Sequence, residues 1–241
     1  MFTYDSSFNI SSSTFVNNSA PYRGGVMDTY GSSINITNSN FINNIAYHGG
    51  VMGISDLSLI NITSSTFINN IGDIGGVTYA RVSLFNIIGS NFYSNKANSY
   101  GGIVFTFECS IYITDGTFEH NSGSFYTFNS NLTFNDNTRF ENCVERLNKR
   151  AGAREEGGAV TSFQSTIIFI GVSSLSNNQA RCGGAILATE SKILIYGETI
   201  IANNTATVSS GGGISLRQSD IEIRGSCIIS EIGRASCRER V

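Results

Sequence analysis

Acidic side chains are the first residues to examine for catalysis, because cleavage of a glycosidic bond takes two carboxylates roughly 5 to 9 Å apart. A polysaccharide lyase instead needs clustered acidic calcium ligands and a basic residue that accepts a proton. Single aspartates are scattered along this sequence at Asp28, Asp56, Asp73, Asp115, Asp136 and Asp220. The one adjacent acidic pair is Glu155-Glu156. This pattern predicts no catalytic carboxylate pair, and the chain is predicted not to be an enzyme.

Histidine and cysteine are the next residues that could do chemistry. His48 and His120 each stand alone in variable stretches of the sequence. The cysteines Cys109, Cys143, Cys182 and Cys227 follow no C-x-x-C or Cys/His spacing typical of zinc sites. Phosphate-binding loops and nucleophile elbows are absent as well. We therefore predict no catalytic residue, no metal site and no bound cofactor, and we expect the cysteines to serve as small buried residues.

A charged segment, VERLNKRAGAREE at residues 144–156, carries seven charged residues out of thirteen. Arg146, Lys149, Arg150 and Arg154 would offer four positive charges to an anionic partner, which makes the segment the candidate contact site. Glu145, Glu155 and Glu156 nearly neutralise those charges, and this favours a plain solvated loop.

An aromatic-rich unit, SFYTFNSNLTF at residues 124–134, brings several rings close together in sequence. The rings are Phe125, Tyr126, Phe128, Phe134 and, shortly after, Phe140. As an exposed patch they would stack on sugar rings or hold a partner protein. The shortness of this unit favours the other interpretation, in which the rings fill a narrowed core.

All of these residues are carried by a repeat of about 26 residues, which decides the fold. Each unit has an apolar anchor: Phe15, Phe41, Phe67, Phe92, Phe118, Phe140, Leu175 and Ile201. Three residues later stand Asn18, Asn44, Asn70, Asn95, Asn121, Cys143, Asn178 and Asn204, and only Cys143 breaks the column. Paired glycines follow at Gly24-Gly25, Gly49-Gly50, Gly75-Gly76, Gly101-Gly102, Gly157-Gly158, Gly183-Gly184 and Gly212-Gly213. The unit that begins at Phe118 has no pair.

Each unit ends in an alternating strand such as SINIT, in which Ile34 and Ile36 share one face. Helical periodicity is absent throughout, and a fixed period places the same residue at the same point of every turn. The sequence thus predicts an all-β protein, a right-handed parallel β-helix of about eight coils. The anchors are predicted to stack inside, the asparagines to form an amide ladder at a bend, and the glycines to allow close approach of coils.

Composition agrees with a solvated repeat protein. Of 241 residues 14% are charged and 40% are hydrophobic, and the formal net charge is −3. No apolar run approaches the roughly 18 to 20 residues of a membrane-spanning helix. The weak acidity and the lack of a basic stripe predict no nucleic-acid partner and no direct membrane insertion.

The two ends of the sequence carry separate expectations. Residues 231–241, EIGRASCRERV, look like a translated sequencing adapter and are predicted not to be native. Residues 1–230 are predicted to form a single β-helix whose coils are uncapped at both ends. Unpaired strand edges at an uncapped end predict end-to-end self-association.

The repeat resembles that of the polymorphic outer membrane proteins, over about residues 8 to 229. The matching motifs are GGIV at 101, GGAV at 157, GGAI at 183, the near-match GGVM at 24 and 49, and FVNN, FINN, FYSN and FEHN at the anchors. The resemblance implies a surface-exposed autotransporter passenger that works in adhesion. Its partner would be a protein or glycan on a host or neighbouring cell.

The sequence favours a non-catalytic display or adhesion role at the cell surface or outside the cell, in the outer membrane if the source is bacterial. Two alternatives stay open. One is a carbohydrate-active β-helix enzyme, a lyase or glycoside hydrolase, whose catalytic coils lie beyond this sequence. The other is a eukaryotic surface or matrix protein with a structural role.

Overall fold

The computed structural model describes residues 1–123, 125–145, 157–209 and 211–230. Every regular element in these residues is a β-strand. Within the same ranges there is no helix of the length and apolarity that crossing a bilayer requires.

The strands are short and follow one another with two or three residues between most of them. The first sixteen are β1 (Phe2–Tyr4), β2 (Ser7–Ser11), β3 (Thr14–Val16), β4 (Ser19–Arg23), β5 (Met27–Tyr30), β6 (Ser33–Thr37), β7 (Asn40–Ile42), β8 (Ile45–His48), β9 (Met52–Ser55), β10 (Leu59–Thr63), β11 (Thr66–Ile68), β12 (Ile71–Ile74), β13 (Thr78–Arg81), β14 (Leu84–Ile88), β15 (Asn91–Tyr93) and β16 (Lys96–Tyr100). The next are β17 (Val104–Phe107), β18 (Ser110–Thr114), β19 (Thr117–Glu119), β20 (Phe125–Phe128), β21 (Asn131–Phe134), β22 (Thr138–Glu141), β23 (Val160–Phe163), β24 (Thr166–Phe169) and β25 (Ser173–Ser176). The last are β26 (Gln179–Ala180), β27 (Ile186–Thr189), β28 (Lys192–Ile195), β29 (Thr199–Ala202), β30 (Thr205–Ala206), β31 (Ile214–Arg217), β32 (Asp220–Ile223) and β33 (Cys227–Ser230).

Three nine-stranded parallel sheets run the length of the described chain. Sheet 1 begins with β1-β5-β9, sheet 2 with β2-β6-β10 and sheet 3 with β3-β7-β11, so each coil gives one strand to each sheet. A shorter sheet 4 joins β4, β8, β12 and β16, and β26 pairs with β30. Strands of neighbouring coils stack in register; Ile60, for example, pairs with Ile34 and with Phe85. The predicted parallel β-solenoid of about eight turns, with a repeat of roughly 26 residues, is confirmed.

Strand alternation builds the core, because every second side chain points into the coil. Sheet 2 places Ile34, Ile36, Ile60 and Ile62 inward, and all four are fully buried or nearly so. Each such side chain stabilises the fold by about 2 to 3 kcal/mol when it is removed from water.

Tight turns between sheets explain the doubled asparagine in the F-x-N-N motif. The first of the two residues has a left-handed backbone, with φ of 57° at Asn17, 55° at Asn43 and 54° at Asn69. Asparagine tolerates this region better than most residues do. The second asparagine is the one that enters the amide ladder.

The paired glycines meet two different backbone demands. Gly49 has a φ of +66°, and a Cβ on Gly50 would lie 2.3 Å from the carbonyl oxygen of Gly76 in the next coil. One prediction is wrong by a residue: Gly211 and Gly212 occupy the column, because Gly211 has the positive φ and Gly212 faces Gly184. In the unit without a pair, Gly123 stands in register with Gly102 and has a φ of +63°.

Candidate functional site

The anchors form one internal column along sheet 3. Register pairs Phe15, Phe41, Phe67, Phe92, Phe118, Phe140, Leu175 and Ile201 in that order, and Ile229 extends the column. The six phenylalanine rings stack with centroids 4.7 to 5.1 Å apart and interplanar angles of 4° to 22°. Offset stacking of this kind adds to the burial energy. The role of this column is structural, because its side chains pack against one another and, from Phe41 to Ile201, leave almost none of their surface for a ligand.

The ladder asparagines also lie together, and each is bonded on both sides. The Asn44 amide nitrogen donates to Asn70 Oδ1 at 3.0 Å and to the Phe15 carbonyl at 3.1 Å. The Asn44 backbone N–H also donates to Asn70 Oδ1, at 3.0 Å. The same pattern links Asn18, Asn44, Asn70, Asn95 and Asn121, and then Asn178 and Asn204. Because these bonds satisfy turn groups that the strands leave unpaired, the ladder is structural.

Cysteines replace polar ladder residues at two places. Cys143 fills the gap in the asparagine ladder, where its backbone N–H donates to Asn178 Oδ1 at 2.9 Å. Cys109 stands in a second, serine ladder that sequence reasoning missed, and its N–H donates to Ser130 Oγ at 3.1 Å. Burial raises the pKa of the Cys109 thiol to about 11. Cys109, Cys143 and Cys182 are buried, Cys227 is half-buried, and all four are free thiols.

The rings of the aromatic-rich unit fall into two groups, and none of them is exposed. Phe125, Phe134 and Phe140 are fully buried and pack edge to face, so the core-filling interpretation holds for them. Tyr126 and Phe128 instead point out of sheet 1, where Tyr126 is still buried and Phe128 is half-buried. There Tyr126 stacks 5.5 Å from Phe105.

The charged candidate site falls outside the described residues, since Arg146, Lys149, Arg150, Arg154, Glu155 and Glu156 belong to 146–156. Its predicted beginning is wrong, because residues 144 and 145 still belong to the coil. Val144 forms a parallel bridge with Gln179. Glu145 is buried, and its Oε2 accepts the Arg181 N–H at 2.6 Å.

One polar cluster brings together residues that the sequence scatters. It lies between sheets 1 and 4, and we call it the arginine cluster. Its members are Arg23, Asp28, Tyr30, His48, Ser55 and Tyr79. Arg23 donates to the Tyr30 hydroxyl at 2.9 Å and to Ser55 Oγ at 2.8 Å, while its Nε lies 3.2 Å from Asp28 Oδ1.

His48 borders the arginine cluster inside a group of rings, with its centroid 4.5 Å from that of Tyr79. Burial and the Arg23 charge lower the pKa of the His48 imidazole, while Asp73 opposes them. Burial raises the pKa of Asp28, against the attraction of Arg23. Other single acids lie apart from the cluster: Asp56 and Asp115 sit exposed at left-handed turns. In the described part of the chain no three His, Cys, Asp or Glu side chains come together as metal ligands would.

The second external feature is a groove of about 380 Å³ on the outer side of sheet 2, which we call the amide groove. It is lined by Asn35, Asn61, Thr63, Asn86, Ile88, Tyr112 and Thr114. Asn9, Asn35, Asn61 and Asn86 stand in register on successive coils, and the last three each donate from the amide nitrogen to the Oδ1 of the preceding coil at 2.8 Å. Tyr112 takes the next register position.

The signal for the amide groove was present in the sequence. Asparagine alternates with the buried isoleucines in SFNIS, SINIT, LINIT and LFNII, and this phase is the outward one. The arginine cluster left no comparable signal, because its six members fall in three register columns and each of these columns mixes different residue types.

No protein-family model, no curated protein and no solved structure matches this chain. The likeness to the polymorphic outer membrane proteins therefore rests on the repeat motifs, and what stands established is a parallel β-solenoid.

Proposed function

We propose that the chain is a non-catalytic, surface-exposed or secreted rod that displays its outer faces to a binding partner and so works in adhesion. The observation that supports this most directly is the unbroken register of three sheets over nine rungs. A parallel solenoid of this kind repeats the same outer chemistry from coil to coil. A repeating surface suits contact with an extended partner better than with a single small substrate.

The distribution of polar groups also supports a display role. Inside, the asparagine ladder is bonded to its neighbouring coils and to turn carbonyls, as the Asn70 contacts illustrate. Outside, charge is sparse, at 14% of the sequence, and Asn, Ser and Thr dominate the strands. In this proposal the chain is a passenger like those of the polymorphic outer membrane proteins, and its partner is a protein or glycan of a host or neighbouring cell.

The test is capture of cells by beads that carry the 241-residue chain, compared with beads that carry the heat-denatured chain. Panels of bacterial and animal cells are used before and after periodate oxidation of surface glycans, and before and after proteolysis. We expect capture that depends on the folded chain and that one of the two treatments abolishes. The proposal fails if no cell type is retained.

A carbohydrate-active enzyme is the second candidate, and the arginine cluster favours it. Burial perturbs the pKa values of both Asp28 and His48, and perturbed pKa values are concentrated at functional sites. If this candidate is correct, the chain releases reducing or unsaturated ends from a polysaccharide, and Asp28→Asn abolishes the release. The display role predicts no release from either protein.

A further inference from the structure

We propose that the amide groove binds a chain of an uncharged polysaccharide. This deepens the proposed display role, on which it rests, by naming the class of partner and the face that holds it. The occupant runs along the axis of the solenoid, across the coils that carry Asn35, Asn61, Asn86 and Tyr112.

The hydrogen-bonding capacity of the groove matches hydroxyl groups. A side-chain amide has two N–H donors and an oxygen with two lone pairs. Within the ladder Asn35 and Asn61 each use one N–H and one lone pair on their neighbours. Each therefore keeps one donor and one acceptor that can turn outward. A donor beside an acceptor suits a hydroxyl, which both gives and takes a hydrogen bond.

The end of the ladder supplies a different contact. Tyr112 stands in register with Asn86, is 45% exposed and lines the groove. A tyrosine ring presents an apolar body with a polar tip, and this suits the C–H face of a sugar. Thr63 and Thr114 add hydroxyls on the flank, with Ile88 between them in register.

Charge selects the class of polysaccharide. None of the seven residues that line the groove is ionisable near neutral pH. The turns that border the first five strands of sheet 2 carry the exposed carboxylates Asp5, Asp56, Glu108 and Asp115, against one exposed cation, Arg81, at the end of β13. A uronic-acid polymer or a nucleic acid would be repelled at this rim, whereas a neutral glycan would not.

The ladder also reduces the entropic cost of binding. Successive amides lie about 4.8 Å apart along the sheet, and their mutual hydrogen bonds fix the side-chain torsions before any ligand arrives. Asn35, Asn61 and Asn86 are half-buried, which limits their motion further. A repeating, immobile row of donors and acceptors suits a polymer of identical units.

Affinity electrophoresis in native gels tests the proposal. The gels contain hydroxyethylcellulose, laminarin, mannan or, as the charged counterpart, polygalacturonate. We expect at least one neutral polymer to retard the chain and polygalacturonate to leave it unretarded. Tyr112→Ala should weaken the retardation about tenfold, which corresponds to loss of one aromatic contact.

Two further variants separate the groove from the rest of the surface. Asn61→Thr replaces an amide of the groove by threonine, a residue type that the same register column already holds at Thr133. This variant should also weaken binding. Tyr93→Ala removes a half-buried tyrosine from sheet 3 and should leave binding unchanged.

The outcomes distinguish the inference from the display role beneath it. If polysaccharide or cell binding occurs but Tyr112→Ala and Tyr93→Ala behave alike, the groove is not the site although the display role stands. Preferential retardation by polygalacturonate, or no retardation by any neutral polymer, overturns the inference. Release of sugar ends during the assay would overturn the display role itself.

Discussion

His48 lies among the rings of Tyr22, Tyr47 and Tyr79, where burial and the neighbouring Arg23 oppose its protonation. Its pKa in the folded chain is below the ordinary 6.5, so the unfolded chain binds the proton more readily. Stability therefore rises with pH through the window below about 6.5 and is lost as the pH falls through it. The contribution of His48 to the free energy of unfolding is fully present above that window.

We predict that His48→Gln reduces the dependence of the free energy of unfolding on pH between about pH 5 and pH 7. Urea unfolding followed by circular dichroism at several pH values measures the slope. His120→Gln is the control, since the His120 side chain is 59% exposed, with its Nε2 3.3 Å from Glu119 Oε1. Equal slopes for wild type and His48→Gln would contradict the assignment.

The arginine cluster also gives a reason for one irregular residue. Gly53 stands in register between Asp28 and Tyr79 on the outer side of sheet 1. A Cβ there would lie 2.8 Å from Asp28 Oδ1 and 3.0 Å from Arg23 Nε. The missing side chain makes the space in which Arg23 reaches Ser55.

The strands and turns depend on two amide ladders that differ in exposure. Asn70, in the inner ladder, is fully buried and makes bonds to Asn44, Asn95 and the Phe41 carbonyl. Asn61, in the outer ladder, is half-buried and faces the amide groove. Both residues are asparagines in an amide ladder, so replacing each of them separately isolates the effect of access to water on the free energy of unfolding.

We predict that Asn70→Ala destabilises the chain by about 3 kcal/mol or more, because buried donors and acceptors lose their partners. Asn61→Ala should cost about 1 kcal/mol or less, since water replaces the lost amide. Midpoints of guanidinium unfolding provide the comparison. Similar losses for the two variants would show that the inner ladder is no more important than the outer one.

Elements that repeat could be predicted from the sequence, because a column of identical residues is visible as a period. Phe41 and Asn44 recur 26 residues later as Phe67 and Asn70, and register then follows. The arginine cluster could not be predicted in this way, since Arg23 of sheet 4 meets Asp28 and Ser55 of sheet 1 and each of their columns mixes different residue types. Such contacts depend on how far the chain bends at each corner, which no period encodes.

At the scale of the whole molecule, the first coil is paired on one side only. β1, β2 and β3 each begin a nine-stranded sheet and bond to the following coil alone. Phe2 and Tyr4 in β1 are 69% and 65% exposed. An open parallel edge with apolar side chains is a template for another chain.

We predict that the 241-residue chain self-associates as its concentration rises, as sedimentation velocity would measure. Lysine on an edge strand opposes pairing, so Thr14→Lys should shift the distribution toward monomer. Thr189→Lys, at the end of β27, which is paired on both sides in sheet 1, should not. A wild-type chain that stays monomeric over a hundredfold range of concentration would contradict the prediction.

The solenoid is also predicted to tolerate loss of one whole coil. Removal of residues 178–203, one period of 26, joins Asn177 to Asn204 and returns every later residue to its column. Cys143 then faces Asn204 in place of Asn178, and Ile167 pairs with Ile221. Because each coil contacts its neighbours alone, the shortened chain should keep β-type circular dichroism and resistance to protease.

The control removes residues 178–190, thirteen residues or half of that period. The deletion is smaller, yet it moves Ile201 and Asn204 out of phase with Leu175 and Cys143. Inward and outward residues then mismatch, and we expect aggregation or rapid proteolysis. Both deletions leave the coils of the amide groove intact, so retained polysaccharide binding in the first would place recognition in the N-terminal half. If both shortened chains resist protease equally, stability does not depend on the columns, and register is not what holds the coils together.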